Sequence, residues 1–166
     1  MSYIDDIKQK VILIGQELPS LSLWKKQGEQ IVFTNGCFDI IHRGHVDYLA
    51  RAASLGSKMI IGLNTDNSVR RLKGSTRPVS DEYSRAFVLA AFTFADAIIL
   101  FDEDTPYNLI QYVQPDILVK GSDYKEDDIV GADIVKAKGG KIVTMDFVPG
   151  FSTSSIIQKL ATTVIK

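Results

Sequence analysis

The fold is decided by residues 31–55, which read IVFTNGCFDIIHRGHVDYLARAASL. The stretch opens with an apolar run over 31–34, and this run predicts a buried strand. Apolar side chains then recur at helical spacing within 44–55, at Val46, Leu49, Ala50 and Ala53. Gly56 follows as the predicted left-handed end of that helix. The stretch therefore predicts a strand that turns directly into an amphipathic helix.

Four more apolar runs punctuate the chain, at 59–63, 97–101, 117–119 and 142–145. Because they do not alternate with polar residues, they indicate strands that are covered on both faces. Segments with helical periodicity separate most of them. We therefore predict an α/β fold: a doubly wound, Rossmann-like parallel sheet of five strands. Such sheets bind ligands beyond the carboxyl ends of their strands.

Helix starts are predicted at three places where a capping residue precedes a suitable pattern: Ser80, Thr105 and Ser152. Between the second strand and the helix after Ser80, 74–78 reads as a surface loop.

The N-terminal part carries its own helical stripe, formed by Ile4, Ile7, Val11 and Ile14. A second helix is predicted over 18–26, ending near Gly28. We therefore expect a helical extension over 1–28 and a catalytic core over 29–166. No long polar linker divides the chain, so both parts belong to one domain, 1–166.

Composition narrows the class of protein. Of 166 residues 45% are hydrophobic and 23% charged, with 12 glycines and 5 prolines, so disordered and low-complexity classes are excluded. A net charge of -1 gives no general attraction to nucleic acid or an anionic membrane. The single cysteine, Cys37, excludes a disulfide framework and fits a reducing compartment. Without a signal peptide or an apolar span in the sequence, the expected location is the cytoplasm.

Both histidines of the chain, His42 and His45, lie where the strand turns into the helix. Three residues apart, they can project from one face, close to the free N–H groups and the positive end of the helix dipole. Gly44 between them removes a side chain where a ligand comes close. This arrangement suits a phosphate whose charge grows in a transition state, as in phosphoryl or nucleotidyl transfer.

Two other interpretations of this pair stay open. Two histidines at this spacing could bind a transition metal together with a carboxylate such as Asp39, although no Cys or His outside 37–45 could complete a zinc site. They could also be structural residues at the helix start.

A second candidate phosphate site is the Ser/Thr-rich helix start that follows Gly150, with the hydroxyls of Ser152, Thr153 and Ser154. The alternative is an ordinary N-cap. If the fold is correct, this helix start lies near the histidines, at the carboxyl edge of the sheet.

Positively charged residues also lie after two of the predicted strands. A basic run, formed by Arg70, Arg71, Lys73 and Arg77, could neutralise a substrate phosphate or could be a solvated face. Lys120 lies at the end of a strand, and Asp123 lies in the turn after it.

Several motifs, which lie in different parts of the chain, resemble those of a known family. The segment CFDIIHRGH (37–45) resembles the His-x-Gly-His signature of cytidylyltransferase-like nucleotidyltransferases. The adenylyltransferase domains of bacterial ADP-heptose synthases are similar in four further segments: FTNGCFD (33–39), FDEDTP (101–106), LVKGSDY (118–124) and STSSI (152–156).

The resemblance implies that D-glycero-D-manno-heptose 1-phosphate attacks the α-phosphorus of ATP, giving ADP-heptose and pyrophosphate for a lipopolysaccharide core or another surface glycan. It implies catalytic roles for His42, His45 and Lys120. Nucleotide-binding roles are implied for Cys37, Phe38, Gly44, Asp123, Gly150, Ser152, Thr153 and Ser154. Sugar-phosphate contacts are implied for Asp39, Lys73 and Arg85. Mg²⁺ would arrive mainly on the nucleotide phosphates, without a protein metal cage, and the family suggests a homodimer.

The sequence departs from both related patterns. Ser122 stands where the heptose family usually has a second glycine. Residues 147–150 lack the arginine that precedes the Ser/Thr-rich helix in glycerol-3-phosphate cytidylyltransferases, which disfavours that alternative. The alternatives are cytidylyl transfer to glycerol 3-phosphate or a similar acceptor, and a nucleotide-binding regulatory domain without turnover.

Overall fold

A computed structural model describes residues 2–123, 125 and 128–164. Within them, one sheet contains six strands: β1 (Val11–Ile12), β2 (Ile31–Gly36), β3 (Lys58–Asn64), β4 (Ala97–Phe101), β5 (Ile117–Gly121) and β6 (Lys141–Met145). The helices are α1 (Tyr3–Gln9), α2 (Leu21–Lys26), α3 (Arg43–Ala53), α4 (Asp66–Lys73), α5 (Glu82–Ala90), α6 (Tyr107–Val113), α7 (Ala132–Ala137) and α8 (Thr153–Val164).

All strand pairs are parallel, in the order β1-β4-β3-β2-β5-β6. From β2 the chain first winds outward through β3 to β4 and then returns to place β5 on the other side of β2. The sheet is therefore doubly wound, as predicted, and its switch point lies between β2 and β5. Ligands of such sheets bind at the carboxyl end of this crevice.

The core has two layers because both faces of the inner strands are covered. Phe33, Ile60 and Leu118 face one layer, while their neighbours Val32, Ile61 and Val119 face the other. The apolar runs without alternation are thereby explained. In the described part of the chain, no helix has the length and apolarity needed to cross a membrane.

The N-terminal prediction needs correction. The helical stripe from Ile4 to Ile14 is not one helix, since α1 ends at Gln9 and Val11–Ile12 form a strand beside β4. The N–H of Ile98 donates to the carbonyl of Lys10 at 2.8 Å. The residues after α1 thus provide hydrogen-bond partners for the edge of β4. The sheet therefore has six strands rather than five.

Several helix boundaries also differ. Helix α3 ends without a left-handed glycine: a Cβ on Gly56 would lie 2.6 Å from the Gln30 carbonyl oxygen, so close backbone approach explains this glycine. Asp81, rather than Ser80, caps α5, and Pro106, rather than Thr105, precedes α6. Helices α4 and α7 had not been predicted.

Candidate active site

The two histidines lie at the start of α3. His42 is the N-cap residue in extended conformation and makes no side-chain capping bond. Its ring stacks on that of His45, with centroids 3.8 Å apart and planes inclined by 19°. The Nδ1 atoms of both rings are buried and have no hydrogen-bond partner among the described residues. The predicted juxtaposition is confirmed, and both rings keep unused hydrogen-bonding capacity.

Burial also sets the charge of this pair. It lowers the pKa of His42, and it lowers the pKa of His45 to about 4, with a smaller contribution from His42 and an opposing one from the Ile40 backbone. Both imidazoles are therefore neutral near pH 7. They can offer hydrogen bonds to a polyphosphate, and its negative charge would favour their protonation.

The starts of α3 and α8 meet at this point. A Cβ on Gly44 would lie 3.0 Å from both Cε1 of His42 and Cβ of Phe151. Gly44 thus permits the close approach of two side chains, and the predicted close approach of a ligand stays a prediction. The guanidinium carbon of Arg43 lies 5.5 Å from the centroid of the Phe151 ring.

The start of α8 combines open hydroxyls with a formed cap. Gly150 has a φ of 83°, and the Ser152 hydroxyl accepts the N–H of Ser155 at 3.1 Å. Ser152 and Ser154 are exposed and Thr153 is half-buried. The predicted cap is confirmed, and both helix starts lie together at the carboxyl edge. The phosphate contacts of this segment stay predictions.

The loop between β2 and α3 holds Cys37 and Phe38. Phe38 has a φ of 41°, and its ring packs on Gly36 and lies edge-on to His45, with centroids 5.4 Å apart. Burial raises the pKa of the Cys37 thiol, against the opposing charges of Lys73, Arg85 and Arg77. A neutral, half-buried thiol fits a lining residue rather than a nucleophile.

Asp39, predicted to lie near the sugar phosphate, holds the 74–80 loop. Its carboxylate pairs with Arg77 at 2.5 Å and accepts the N–H groups of Val79 and Ser80 at 2.8 and 3.0 Å. Burial acts to raise the pKa of Asp39, but these donors outweigh it and hold the pKa below its ordinary value. A substrate contact of Asp39 stays a prediction.

The two cations predicted to bind sugar phosphate differ in their exposure to solvent. Arg85 is 1% exposed, and its guanidinium donates to the carbonyls of Ser80 and Cys37 and to Asp66. Lys73 is exposed, close enough to Cys37 to lower the pKa of its thiol, and without an ion pair among the described residues. Lys73 is therefore the more accessible of the two cations.

Lys120 lies at the switch point. It is 9% exposed and its Nζ donates to Oδ1 of Asn35, which joins the carboxyl ends of β5 and β2. Burial lowers the pKa of Lys120 to about 8, and the charge of Asp123 acts in the opposite direction. Asp123 itself is exposed. Ser122 does not have the positive φ that would demand glycine, while Tyr124 of the same motif lies outside the described residues.

Two residues of this site, Asn35 and Phe151, were not predicted from the sequence. Asn35 carried the signal of a polar residue at the carboxyl end of a buried strand. Phe151 carried a weaker one, an aromatic residue between a glycine and a Ser/Thr-rich helix start.

A separate cleft of about 530 Å³ lies at the opposite edge of the sheet, between residues such as Gln30, Asp116 and Gly140. These precede β2, β5 and β6, so the cleft lies at the amino ends of the strands. Its size does not make it the active site, because it is remote from the histidines and Lys120. Among the described residues, no group of three or more His, Cys, Asp or Glu side chains could hold a metal ion.

Comparisons with known proteins show the family of the chain. Residues 33–159 match the family described as cytidylyltransferase-like. The bifunctional protein HldE of Methylobacillus flagellatus is 55% identical over 152 residues, which cover 92% of this chain and 31% of that protein. The HldE of Campylobacter jejuni subsp. doylei is 54% identical over 152 residues, 92% of this chain and 32% of that protein. The chain thus spans just under a third of these curated relatives.

The chain is also similar to solved structures. The lipopolysaccharide core biosynthesis protein from Thermoplasma volcanium shares 30% identity with a TM-score of 0.63, covering 73% of this chain and 99% of that one. Pantoate-beta-alanine ligase from Francisella tularensis, complexed with beta-gamma ATP and beta-alanine, shares 14% identity with a TM-score of 0.53, covering 82% of this chain and 67% of that one. The second likeness concerns the fold alone.

Proposed function

Because the chain belongs to the cytidylyltransferase-like family of nucleotidyltransferases, we propose that it transfers the adenylyl group of ATP to a sugar 1-phosphate. The proposed acceptor is D-glycero-D-manno-heptose 1-phosphate, and the products are ADP-heptose and pyrophosphate. The motif resemblance to ADP-heptose synthases and a relative named for lipopolysaccharide core biosynthesis support this acceptor. The single cysteine supports a reducing location, the cytoplasm.

The observation that carries the proposal is the stacked pair His42 and His45 beside the start of α8. Two neutral imidazoles, whose Nδ1 atoms have no partner among the described residues, adjoin two helix starts at the edge where α/β sheets bind ligands. The arrangement suits a triphosphate held along its length, with the histidines at the α-phosphate and the hydroxyls of α8 at the β- and γ-phosphates.

In the proposed reaction, a phosphate oxygen of the sugar 1-phosphate forms a bond to the α-phosphorus. The bond from that phosphorus to the bridging α–β oxygen breaks, and pyrophosphate leaves with its electron pair. His42 and His45 stabilise the charge that grows on the α-phosphoryl oxygens, and Lys120 adds a cation at the switch point. Lys73 is the accessible cation for the incoming sugar phosphate, while Asp39 and Arg85 hold the loops around it.

Mg²⁺ would neutralise phosphate charge when bound. We propose that the nucleotide phosphates carry the ion, as the family resemblance implies. Its removal with a chelator is expected to abolish turnover.

The test is a matrix of ATP or CTP against several sugar 1-phosphates with Mg²⁺, following pyrophosphate and identifying the product by mass spectrometry. We expect turnover with ATP and the heptose 1-phosphate, and none from a His42→Ala/His45→Ala double variant. A preference for CTP would contradict the adenylyl assignment. Tight ATP binding without pyrophosphate release from any acceptor would contradict the enzymatic proposal.

A further inference from the structure

Three rings connect the two helix starts of the site. The ring of His45 stacks on His42, and the ring of Phe151 lies on His42 with centroids 6.4 Å apart and planes inclined by 25°. The guanidinium of Arg43 lies over the ring of Phe151. Since Phe151 immediately precedes the Ser152 cap, this contact ties the first turn of α8 to that of α3.

The contact is close because the neighbouring residue is glycine. A Cβ on Gly44 would lie 3.0 Å from Phe151 Cβ and 3.0 Å from His42 Cε1. No other residue type would leave both contacts undisturbed. Glycine at position 44 therefore leaves room for the Phe151 side chain beside His42.

Among the described residues, no hydrogen bond to Nδ1 fixes the orientation of the His42 ring. Functional imidazoles are usually oriented by a hydrogen bond from the second ring nitrogen to a carboxylate or carbonyl. Here Nδ1 of His42 has no partner among the described residues, and the side chain makes no capping bond. The orientation of His42 is then set by packing between His45 and Phe151.

We propose that Phe151 is a positioning residue that holds the His42 imidazole against His45 and couples α8 to α3. Its kinetic consequence rests on the proposed function, whereas the ring contact itself does not. Phe151 is 39% exposed, so its replacement removes little of the core. Phe147 supplies a control: it is 51% exposed, precedes α8 as well, and packs on Tyr48 and Gly121 instead of a histidine.

The first test is NMR spectroscopy of the protein without substrates. With only two histidines in the chain, the imidazole signals can be assigned with one His45→Asn variant. We expect a nuclear Overhauser contact between the Phe151 ring and the His42 imidazole. In Phe151→Leu the His42 signals should shift and the contact between the two imidazoles should weaken, whereas Phe147→Leu should change neither. Unchanged His42 signals in Phe151→Leu would overturn the proposal.

The second test is kinetic. Because misplacing a reacting group by about 1 Å can cost about 100-fold, we expect kcat of Phe151→Leu to fall by about 10- to 100-fold with little change in KM for ATP. Phe151→Tyr, which keeps the ring, should restore kcat, and Phe147→Leu should keep it. Equal kcat in Phe151→Leu and Phe147→Leu would overturn the positioning role. If the wild type shows no transferase turnover, the proposed function fails, and the NMR comparison still decides whether Phe151 orients His42.

Discussion

Helices α3 and α4 follow adjacent strands of one sheet, yet they begin in opposite ways. At α4, the buried Thr65 hydroxyl accepts the N–H of Ser68 at 3.2 Å and donates to Asp102. At α3, His42 occupies the capping position without a side-chain bond, and two imidazole nitrogens near it are unpaired among the described residues. The α4 start is internally satisfied, while the α3 start keeps its donors available.

The two starts therefore differ in whether the capping side chain stabilises its helix. A Ser, Thr, Asp or Asn cap stabilises a helix by about 1 kcal/mol, and α1, α4 and α5 all have one. Helix α3 lacks this contribution at the carboxyl edge of the central strand. A helix start without a side-chain cap, at the edge where such sheets bind ligands, leaves its polar groups available to a substrate.

Arg85 joins the two helix starts, and its loss should have the largest effect. It donates to the Cys37 carbonyl before α3 and to Asp66, the first residue of α4. Because Arg85→Ala removes a fully buried guanidinium and leaves these half-buried acceptors without its hydrogen bonds, the free energy of unfolding should fall by about 3–5 kcal/mol in urea titrations. Arg70→Ala, on the exposed face of α4, is the control, expected to change it by less than about 0.5 kcal/mol. Equal losses in both variants would contradict the bridging role.

His42→Ala should act on catalysis rather than on stability. We expect kcat to fall by about 10²- to 10³-fold, the scale for one lost donor to a transition-state oxyanion. The free energy of unfolding should stay within about 0.5 kcal/mol of wild type, since no capping bond is lost. Turnover within a few-fold of wild type would remove His42 from the proposed mechanism.

Thr65→Val should give the converse result. The nearly isosteric change deletes the cap of α4, so the free energy of unfolding should decrease by about 1–2 kcal/mol. Steady-state kcat should remain that of wild type. Thr65→Ser, which keeps the hydroxyl, controls for the loss of the methyl group. A large loss of kcat in Thr65→Val alone would mean that α4 also belongs to the catalytic site.

The smallest expected effect is a pH dependence from His45. Its pKa is lowered to about 4 in the folded state, against about 6.5 in an unfolded chain. Above pH 6.5 this residue is neutral in both the folded and the unfolded protein. Between pH 6.5 and 4 the unfolded protein binds the proton more readily, so the free energy of unfolding decreases as the pH falls. Between pH 7 and 5 wild type should lose about 1 kcal/mol more than His45→Gln, allowing for solvent screening. Parallel pH profiles of unfolding would contradict the shifted pKa.

Sequence patterns captured the parts of the molecule that depend on local chemistry. The apolar runs located β2 to β5 because these inner parallel strands are buried on both faces. The run at 142–145 located β6 as well, but β6 is an edge strand whose residues are exposed or half-buried, so it is not covered on both faces as predicted. The positions of the strand ends placed the histidines beside the start of α8. The pattern missed β1, since two residues at an edge carry too little periodicity. It also could not show that Arg85 is enclosed while Lys73 is open, because exposed and buried cations on a helix look alike until the loops around them are placed.

The brief strand β1 also bears on how this chain can be shortened. Its two residues pair with Ile98 and Ile99 and so shield one flank of β4. A version beginning at residue 29 would retain every proposed substrate contact, yet it would leave a row of open amide and carbonyl groups along an apolar strand. Such a flank invites a neighbouring molecule to add its own strand. In light-scattering measurements at the same concentration, the shortened protein should therefore form larger assemblies than the full chain.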